Sequence, residues 1–506
     1  MFTEQDYAAI KAHQIDTTSL NNQCSMVLCD CPRVKLVSPI FPYDGLYVVN
    51  ESSIKRILNA YAKNVGDKKI VKFVPASGAA TRMFKDIYVY LQGETVPKSV
   101  QEVIDNLDKF AFYPALRQCL QDHGLDIDAK ETEDRNIYKR IFTYLLEKEG
   151  LNYAHLPKGL LEFHAYPHQE VRTAVEEHLV EAALYAVSND KVAHVHFTIS
   201  PEHEQLFKNF VDQKKEKYEQ MLNVTYDITY SFQHPSTDTL AFDEDNKPFR
   251  DENGNLVFRP GGHGSLIKNL NDIDADIIFI KNIDNVTLDM YKGDTVKYKK
   301  VLLSVLLDLQ KSVAFCMRIL NSSNPSFEAL KACEFMVTRR FYIVLPHYYY
   351  EMDNPNKIQY LYRLLNKPIR VCGVVKQEGE PGGGPFWTED NNGVRSLQIV
   401  ETSEMNLEDS TQQSVMMRSS YFNPVDIVCS IKNYKGEKFR LSDFVDYQRY
   451  FVSSKSVNGK TIKAIENPGL WNGAMSNWLT VFVATPLSTF SPVKTINDLL
   501  RKEHCK

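Results

Sequence analysis

The chain has 506 residues, 43% apolar and 24% charged, which is ample for several packed cores and excludes a peptide, a disulfide-stapled miniprotein or a long disordered tail. Lys plus Arg (59) against Asp plus Glu (64) leaves a net charge of −5, so no global positive field draws the chain to nucleic acid or to an anionic membrane. Nine cysteines spread over the chain suggest free thiols in a reducing, cytoplasmic setting.

The first fifteen residues carry acids and no apolar core, so no signal peptide is expected there. Cys24, Cys29 and Cys31 could ligate zinc, but no fourth ligand stands at finger spacing, and free thiols serve equally well. Residues 1–68 read as a mostly helical N-terminal region. Residues 69–74 (KIVKFV) are the first strong strand signal and run into a Pro-Ala-Ser-Gly turn. Residues 86–150 are charge-rich with helical periodicity and form a helical insertion.

Further strands are expected at 192–199, 224–232 and 276–283, with an amphipathic helix at 202–221. The Asp-, Asn-, Gly- and Pro-rich stretch 239–264 reads as a long loop. Residues 295–350 are mostly helical; within them 301–320 is apolar but interrupted by Asp308, Lys311 and Arg318, so no membrane span is expected. Strands follow at 370–375, 397–401 and 425–431, and a smaller C-terminal region, 405–506, carries two of the three tryptophans. Short apolar strands alternating with helices predict an α/β fold with a mixed, mostly parallel central sheet flanked by helices, its core spanning 69–404.

Four short motifs carry chemistry. After the first strand, residues 74–83 (VPASGAATRM) set small residues and Arg82 where backbone amides can cradle an anion; a tight turn with a surface arginine would use the same residues. Pro157-Lys158-Gly159 offers a point charge to a phosphate, or a solvated loop lysine. Residues 259–264 (RPGGHG) give a pliable backbone that can pass close to a ligand, with His263 as the polar reach. Asp284, where the 276–283 strand stops, suits a phosphate-bound Mg²⁺ or an ordinary Asp-Asn turn. His194 and His196 alternate on one strand, while His164 with His168 and the Glu177-His178 pair lack a metal motif, so packing and hydrogen bonding are expected of all five.

In this colinear order the four motifs resemble the UDP-sugar pyrophosphorylases, within the wider class of sugar-1-phosphate nucleotidyltransferases. Ser231-Phe232-Gln233, Cys372-Gly373-Val374-Val375, the segment 398–404 (QIVETSE) and Phe422-Asn423 extend the likeness over about residues 72–430. The turn and the helix sequence EEHLVEAA (176–183) are similar to a bacterial branch of that class.

The resemblance implies a Rossmann-like nucleotide-diphospho-sugar transferase fold and joining of a nucleoside triphosphate to a sugar-1-phosphate with release of pyrophosphate. It implies catalytic roles for Arg82 and Lys158, nucleotide contacts from Ser77, Gly78, Gln233, Gly262, His263 and Gly264, sugar contacts from Glu401 and Asn423, and Mg²⁺ on Asp284. It leaves the base, the sugar and the oligomeric state open.

Two departures stand out. The family has glycines at the positions of Ser77 and Ala80, and an alanine forced to positive φ would cost about 1–2 kcal/mol. Thr237 stands where the family usually has proline. A glycosyltransferase, with Asp272, Asp274 and Asp276 as a D-x-D-like metal motif, and a non-catalytic sugar-nucleotide binder are the alternative readings.

Overall fold

The computed structural model describes residues 2–125, 135–379, 383–457 and 460–505. It divides into two units, each assembled from separated stretches of chain: Met1–Asn64, Gln233–Phe279 and Lys300–Pro486 form unit 1, and Val65–Phe232, Ile280–Lys299 and Leu487–Lys506 form unit 2. The sequence reading had placed its boundaries after residues 68 and 404. Contacts between distant stretches cut across those points, and a linear reading has no access to them.

Unit 1 is built on strands in the order Phe41–Pro42, Gly45–Tyr47, Leu479–Ala484, Ile369–Lys376, Tyr421–Ser430 and Ile277–Ile280. The first four run parallel, and Tyr421–Ser430 is antiparallel to Ile369–Lys376. Residues after 404, read as a C-terminal region, thus supply two strands of this sheet. The helix Lys292–Leu320 explains the apolar stretch at 301–320: within unit 1 Val301, Leu302, Leu303, Leu306, Leu309 and Met317 are all buried. Among the described residues no helix is long and apolar enough to cross a membrane.

The stretch 239–264 is not the irregular loop its composition suggests. Thr239–Phe242 is a fully buried strand pairing with Phe258–Arg259 and with Lys460–Glu466. Two tight turns separate the pairings: Asp243 brackets Lys247 with Asn246 at φ +62°, and Asp251 brackets Asn255 with Gly254 at φ +81°. A four-residue strand between turn-rich segments carries too little period to stand out from them.

Unit 2 has three parallel strands in the order Ile70–Pro75, Val192–Thr198 and Thr225–Ser231, with helices Ala174–Tyr185 and Glu204–Leu222 as crossover elements. The expected insertion supplies helices Lys85–Gln92, Lys98–Asp105, Tyr113–Asp122 and Arg135–Leu146, and residues 126–134 of it lie outside the described residues. Ile87, Tyr90, Val103, Leu116, Leu120, Phe142 and Leu145 join the same core as Val74, Val195 and Phe197. The insertion is therefore an integral part of this unit's packing.

The C-terminal residues close unit 2. Glu503 O accepts the Leu288 amide (3.0 Å) and the Thr287 hydroxyl (2.9 Å), while His504 Nδ1 lies 2.8 Å from His164 Nε2, whose Nδ1 is 2.8 Å from Glu177 Oε1. Burial, then the nearness of His164 and Arg501, pushes His504 down to about 3, and burial with Lys72 alongside holds His178 well below its ordinary value. Both imidazoles are neutral in the fold and bind protons on unfolding, so each contributes stability that is lost as pH falls below about 6.5, by up to about 1.4 kcal/mol per pH unit. Thermal melts at pH 7 and 5.5 should show a fall in Tm, smaller in His504→Asn. Equal pH dependence in both proteins would remove His504 from this account.

Candidate functional site

The strand Ile70–Pro75 is buried along its length, and the chain leaves it through residues 76–79 into the short 3-10 turn Ala80–Phe84. Ala80, Met83 and Phe84 pack into the core, whereas Ser77, Gly78, Ala79 and Arg82 face solvent. None of Ser77, Gly78 and Ala80 has positive φ, so the alanine carries no left-handed strain here. The turn is pinned by its own backbone: Ala76 N donates to Thr198 O (2.8 Å), Lys158 N to Gly78 O (3.2 Å), and the Ser200 hydroxyl to Ser77 O (3.0 Å). Among the described residues the amides of Ser77 and Gly78 have no acceptor, and Arg82 has no side-chain partner.

Lys158 opens the 3-10 turn Lys158–Leu160, and its Nζ donates to Asp284 Oδ2 at 2.7 Å. Gly159 permits this approach: a Cβ there would lie 3.0 Å from Val175 Cγ2 and 3.1 Å from Ile283 Cγ1. Asp284 follows the strand end, and its carbonyl accepts the Val493 amide at 3.0 Å. The structure thus brings Ser77 and Gly78 to Lys158, and Lys158 to Asp284, within unit 2.

Behind them is a buried charge cluster that the sequence reading missed. Glu181 Oε2 accepts Lys72 Nζ at 2.9 Å and the Tyr185 hydroxyl at 3.0 Å, while Oε1 accepts Lys281 Nζ at 2.7 Å. His178 Nε2 lies 3.1 Å from Ile283 O, and Lys72 Nζ also donates to His178 O at 3.1 Å. Burial pushes Lys72 down to about 7, against the pull of Glu181. Burial would raise Glu181, but Lys281 and Lys72 together hold it well below the usual carboxylate range. The signal was present as a lysine inside KIVKFV and a glutamate inside an apolar helix, two charges where their neighbours are core residues.

A fit for Mg²⁺ rests on Asp284 alone. Its side chain is 22% exposed with Oδ2 on Lys158, and no group of three His, Cys, Asp or Glu side chains that could hold a metal occurs among the described residues. One hard, reachable carboxylate suits an ion that keeps most of its waters, but not a metal caged by protein.

The remaining expected residues lie in unit 1. Gly261, Gly262 and Gly264 are glycines because their own chain passes over them: a Cβ would meet Asn467 Nδ2 at 2.2 Å, Glu466 Oε2 at 2.9 Å and Pro468 O at 2.1 Å respectively, and Gly262 has φ +76°. Residues 466–468 thus make the close approach to these three glycines.

His263 stacks on Trp471, ring centroids 4.1 Å apart and 11° from parallel. The Leu470 amide donates to His263 Nδ1 at 3.0 Å, which leaves the ring proton on Nε2, 3.7 Å from Glu401 Oε1. The same Glu401 oxygen accepts Trp471 Nε1 at 3.3 Å. Burial lowers the His263 pKa, with Glu401 and Glu466 opposing, so the imidazole is neutral near pH 7. Trp471 and Glu466 had no motif to betray them.

Gln233 Nε2 donates to Asp238 Oδ1 (3.2 Å), whose Oδ2 lies 3.0 Å from His13 Nδ1. Thr237 ends a 3-10 turn already led by Pro235, which accounts for the missing proline. Asn423 is 2% exposed. Its Oδ1 accepts Val425 N at 3.0 Å and its Nδ2 donates to Gly373 O at 3.4 Å, bracing a bulge in which Val425 takes φ +58°. Both ends of its amide serve the backbone.

Asp274 and Asp276 lie 3.3 and 3.0 Å from Lys432 Nζ, and Asp272 lies 3.3 Å from His234 Nε2, so the D-x-D-like carboxylates are engaged in side-chain pairs. His194 and His196 bond across strands to Asp227 (2.7 Å) and to Thr229 and Ser231 (2.8 Å each). Unit 1 also holds a cavity of about 620 Å³, lined among others by Gln23, Asp238, Gly264, Lys268 and Asn467.

A family model described as "Domain of unknown function (DUF4301)" matches residues 3–505. No curated protein matches the chain. Solved structures similar to it include a UDP-glucose pyrophosphorylase mutant from Leishmania major with UDP-glucose (12% identity, 98% of this chain and 78% of that one, TM-score 0.44). Two more come from Trypanosoma brucei: a uridine diphosphate N-acetylglucosamine pyrophosphorylase (11%, 99% and 79%, 0.47) and a UDP-glucose phosphorylase (13%, 98% and 77%, 0.46).

Two substitutions test the arrangement. Glu181→Gln leaves two buried lysines facing a neutral amide and should cost about 3–5 kcal/mol in a denaturant melt. Gly159→Ala should fold while displacing Lys158 from Asp284, visible in a crystal structure of the variant. An unchanged melt for the first, or an unmoved lysine in the second, would contradict the description.

Proposed function

The chain belongs to the DUF4301 family, and from its own geometry we propose that it is a nucleotidyltransferase joining a nucleoside triphosphate to a sugar-1-phosphate with release of pyrophosphate. The observation that carries this reading is the meeting in unit 2 of a turn whose Ser77 and Gly78 amides have no acceptor among the described residues with Lys158, which reaches the carboxylate of Asp284 after a strand end; Arg82 is exposed where that turn continues. Each element suits a polyphosphate: amides and Arg82 donate hydrogen bonds to anionic oxygens, and Lys158 adds a compact charge.

In the proposed reaction an oxygen of the sugar phosphate attacks the α-phosphorus, a P–O bond forms, and the bond to the leaving pyrophosphate breaks. Both reactants are anions, so the task of the protein is alignment and screening, and no side-chain nucleophile is required. Arg82 and Lys158 orient phosphate oxygens and stabilise charge that accumulates on them. Asp284 would hold Mg²⁺, which when bound supplies charge neutralisation at the phosphates. Separately, within unit 1 taken by itself, Glu401 and neutral His263 present a hydrogen-bond acceptor and donor of the kind that reads hydroxyls, and Gln233 presents an amide suited to a base edge.

Pyrophosphate release measured over a panel of nucleoside triphosphates and sugar-1-phosphates with Mg²⁺ tests the proposal. One pair or more should turn over, and Arg82→Ala or Lys158→Ala should reduce that rate by at least about a hundredfold with melting temperatures unchanged. Asp284→Ala should lower pyrophosphate release, and full release from every active pair would make the metal assignment wrong. Nucleotide-induced thermal stabilisation with no pyrophosphate from any pair would replace the proposal by a sugar-nucleotide binding role.

A further inference from the structure

Two kinds of acid–lysine contact occur near the strand ends of unit 2. Those of Glu181 with Lys72 and Lys281 involve side chains no more than 2% exposed and are closed to solvent. The Lys158–Asp284 pair, 14% and 22% exposed, is open to it. Under the function proposed above, on which this inference rests, the ammonium of Lys158 meets phosphate and the carboxylate of Asp284 meets a divalent cation. In the structure one contact occupies both positions.

We propose that the Lys158–Asp284 ion pair is a latch that couples anion binding to divalent-cation binding: each ligand draws off its own partner and leaves the other residue free for the second ligand. The backbone permits this without rearrangement. Lys158 is fixed through its amide to Gly78 O and through its carbonyl from the Leu161 amide (3.3 Å), while Asp284 is fixed through its carbonyl from Val493 N. Ile283 O is held in turn by His178. Opening the pair therefore needs only rotation of two side chains, one of them on a flexible four-carbon stem. Among the described residues neither side chain forms another ion pair, so no second counter-charge holds the latch shut or replaces a lost partner.

The coupling follows from charge and geometry. With the pair closed, a cation must displace an ammonium from Asp284 and an anion must displace a carboxylate from Lys158. Once either ligand is seated, the second finds its residue already released, and linkage makes the effect reciprocal. A partly exposed, hydrogen-bonded pair is stronger than a surface contact and weaker than a buried one, which places the effect at about fivefold or more in affinity.

The test uses the full chain and two probes kept apart: Mn²⁺ alone, followed by the electron paramagnetic resonance signal of the free ion, and inorganic pyrophosphate alone with chelator, followed by calorimetry. Lys158→Met and Lys158→Gln should each strengthen Mn²⁺ binding by about fivefold or more while weakening pyrophosphate. Asp284→Asn should abolish Mn²⁺ binding and strengthen pyrophosphate by a similar factor. Thermal melts of all three should match the parent chain, since both side chains reach solvent.

If Asp284→Asn abolishes Mn²⁺ binding but neither lysine substitution changes its affinity, the latch is wrong and the site reading survives. If neither probe binds the parent chain or any variant, both fail. Equal binding by all four proteins would place the ions elsewhere and also overturn the latch.

Discussion

A single carboxylate between two lysines, all out of reach of water, is the constraint on which the candidate site depends. Glu181 on the helix Ala174–Tyr185 takes Lys72 from the strand that feeds the small-residue turn and Lys281 from the segment that leads to Asp284. An ionised group in such a place is tolerated only when paired and hydrogen-bonded, and here both carboxylate oxygens are taken and Tyr185 adds a third donor. The arrangement ties the strand that leads into the small-residue turn and the segment that leads to Asp284 to one point on one helix. His178, one turn earlier on that helix, adds a contact to the carbonyl just before Asp284.

From that anchor the rest of unit 2 follows. The turn after Ile70–Pro75 holds its shape through backbone bonds to neighbouring segments and not through glycine at every position, which is why Ser77 and Ala80 are accommodated without strain. Gly159 is needed for a different reason, contact with Val175 and Ile283, and that contact delivers Lys158 to Asp284. A net charge of −5 is no obstacle to such chemistry. Field at a site depends on the few charges placed there, and Lys158 supplies a cation beside the turn through Gly78.

Much of this was legible in the chain. Residues 69–74, 192–199, 224–232, 370–375 and 425–431 announce strands because a sheet covered by helices needs nearly unbroken apolar runs, and each is found within a few residues of its expected place. The strand Thr239–Phe242 escaped because four residues between two turns show no period. Lys158 and Asp284 were legible as separate motifs, while their contact, 126 residues apart in sequence, was not. The brace that Asn423 makes was not legible, because a buried brace and an exposed ligand contact use the same amide and only the bulge at Val425 reveals the first. Trp471 and Glu466 act through stacking and close approach to the 261–264 run, which composition does not encode.

The central claim is that the group around Lys158 and Asp284 binds the polyphosphate of a nucleotide. Isothermal titration of magnesium–nucleoside triphosphate complexes into the full chain and into Lys158→Ala tests it most directly. The account predicts saturable one-to-one binding of at least one nucleotide by the parent chain, weakened by about tenfold or more when the lysine is removed. Equal affinity in the two proteins, or no binding of any nucleotide by the parent, would contradict it.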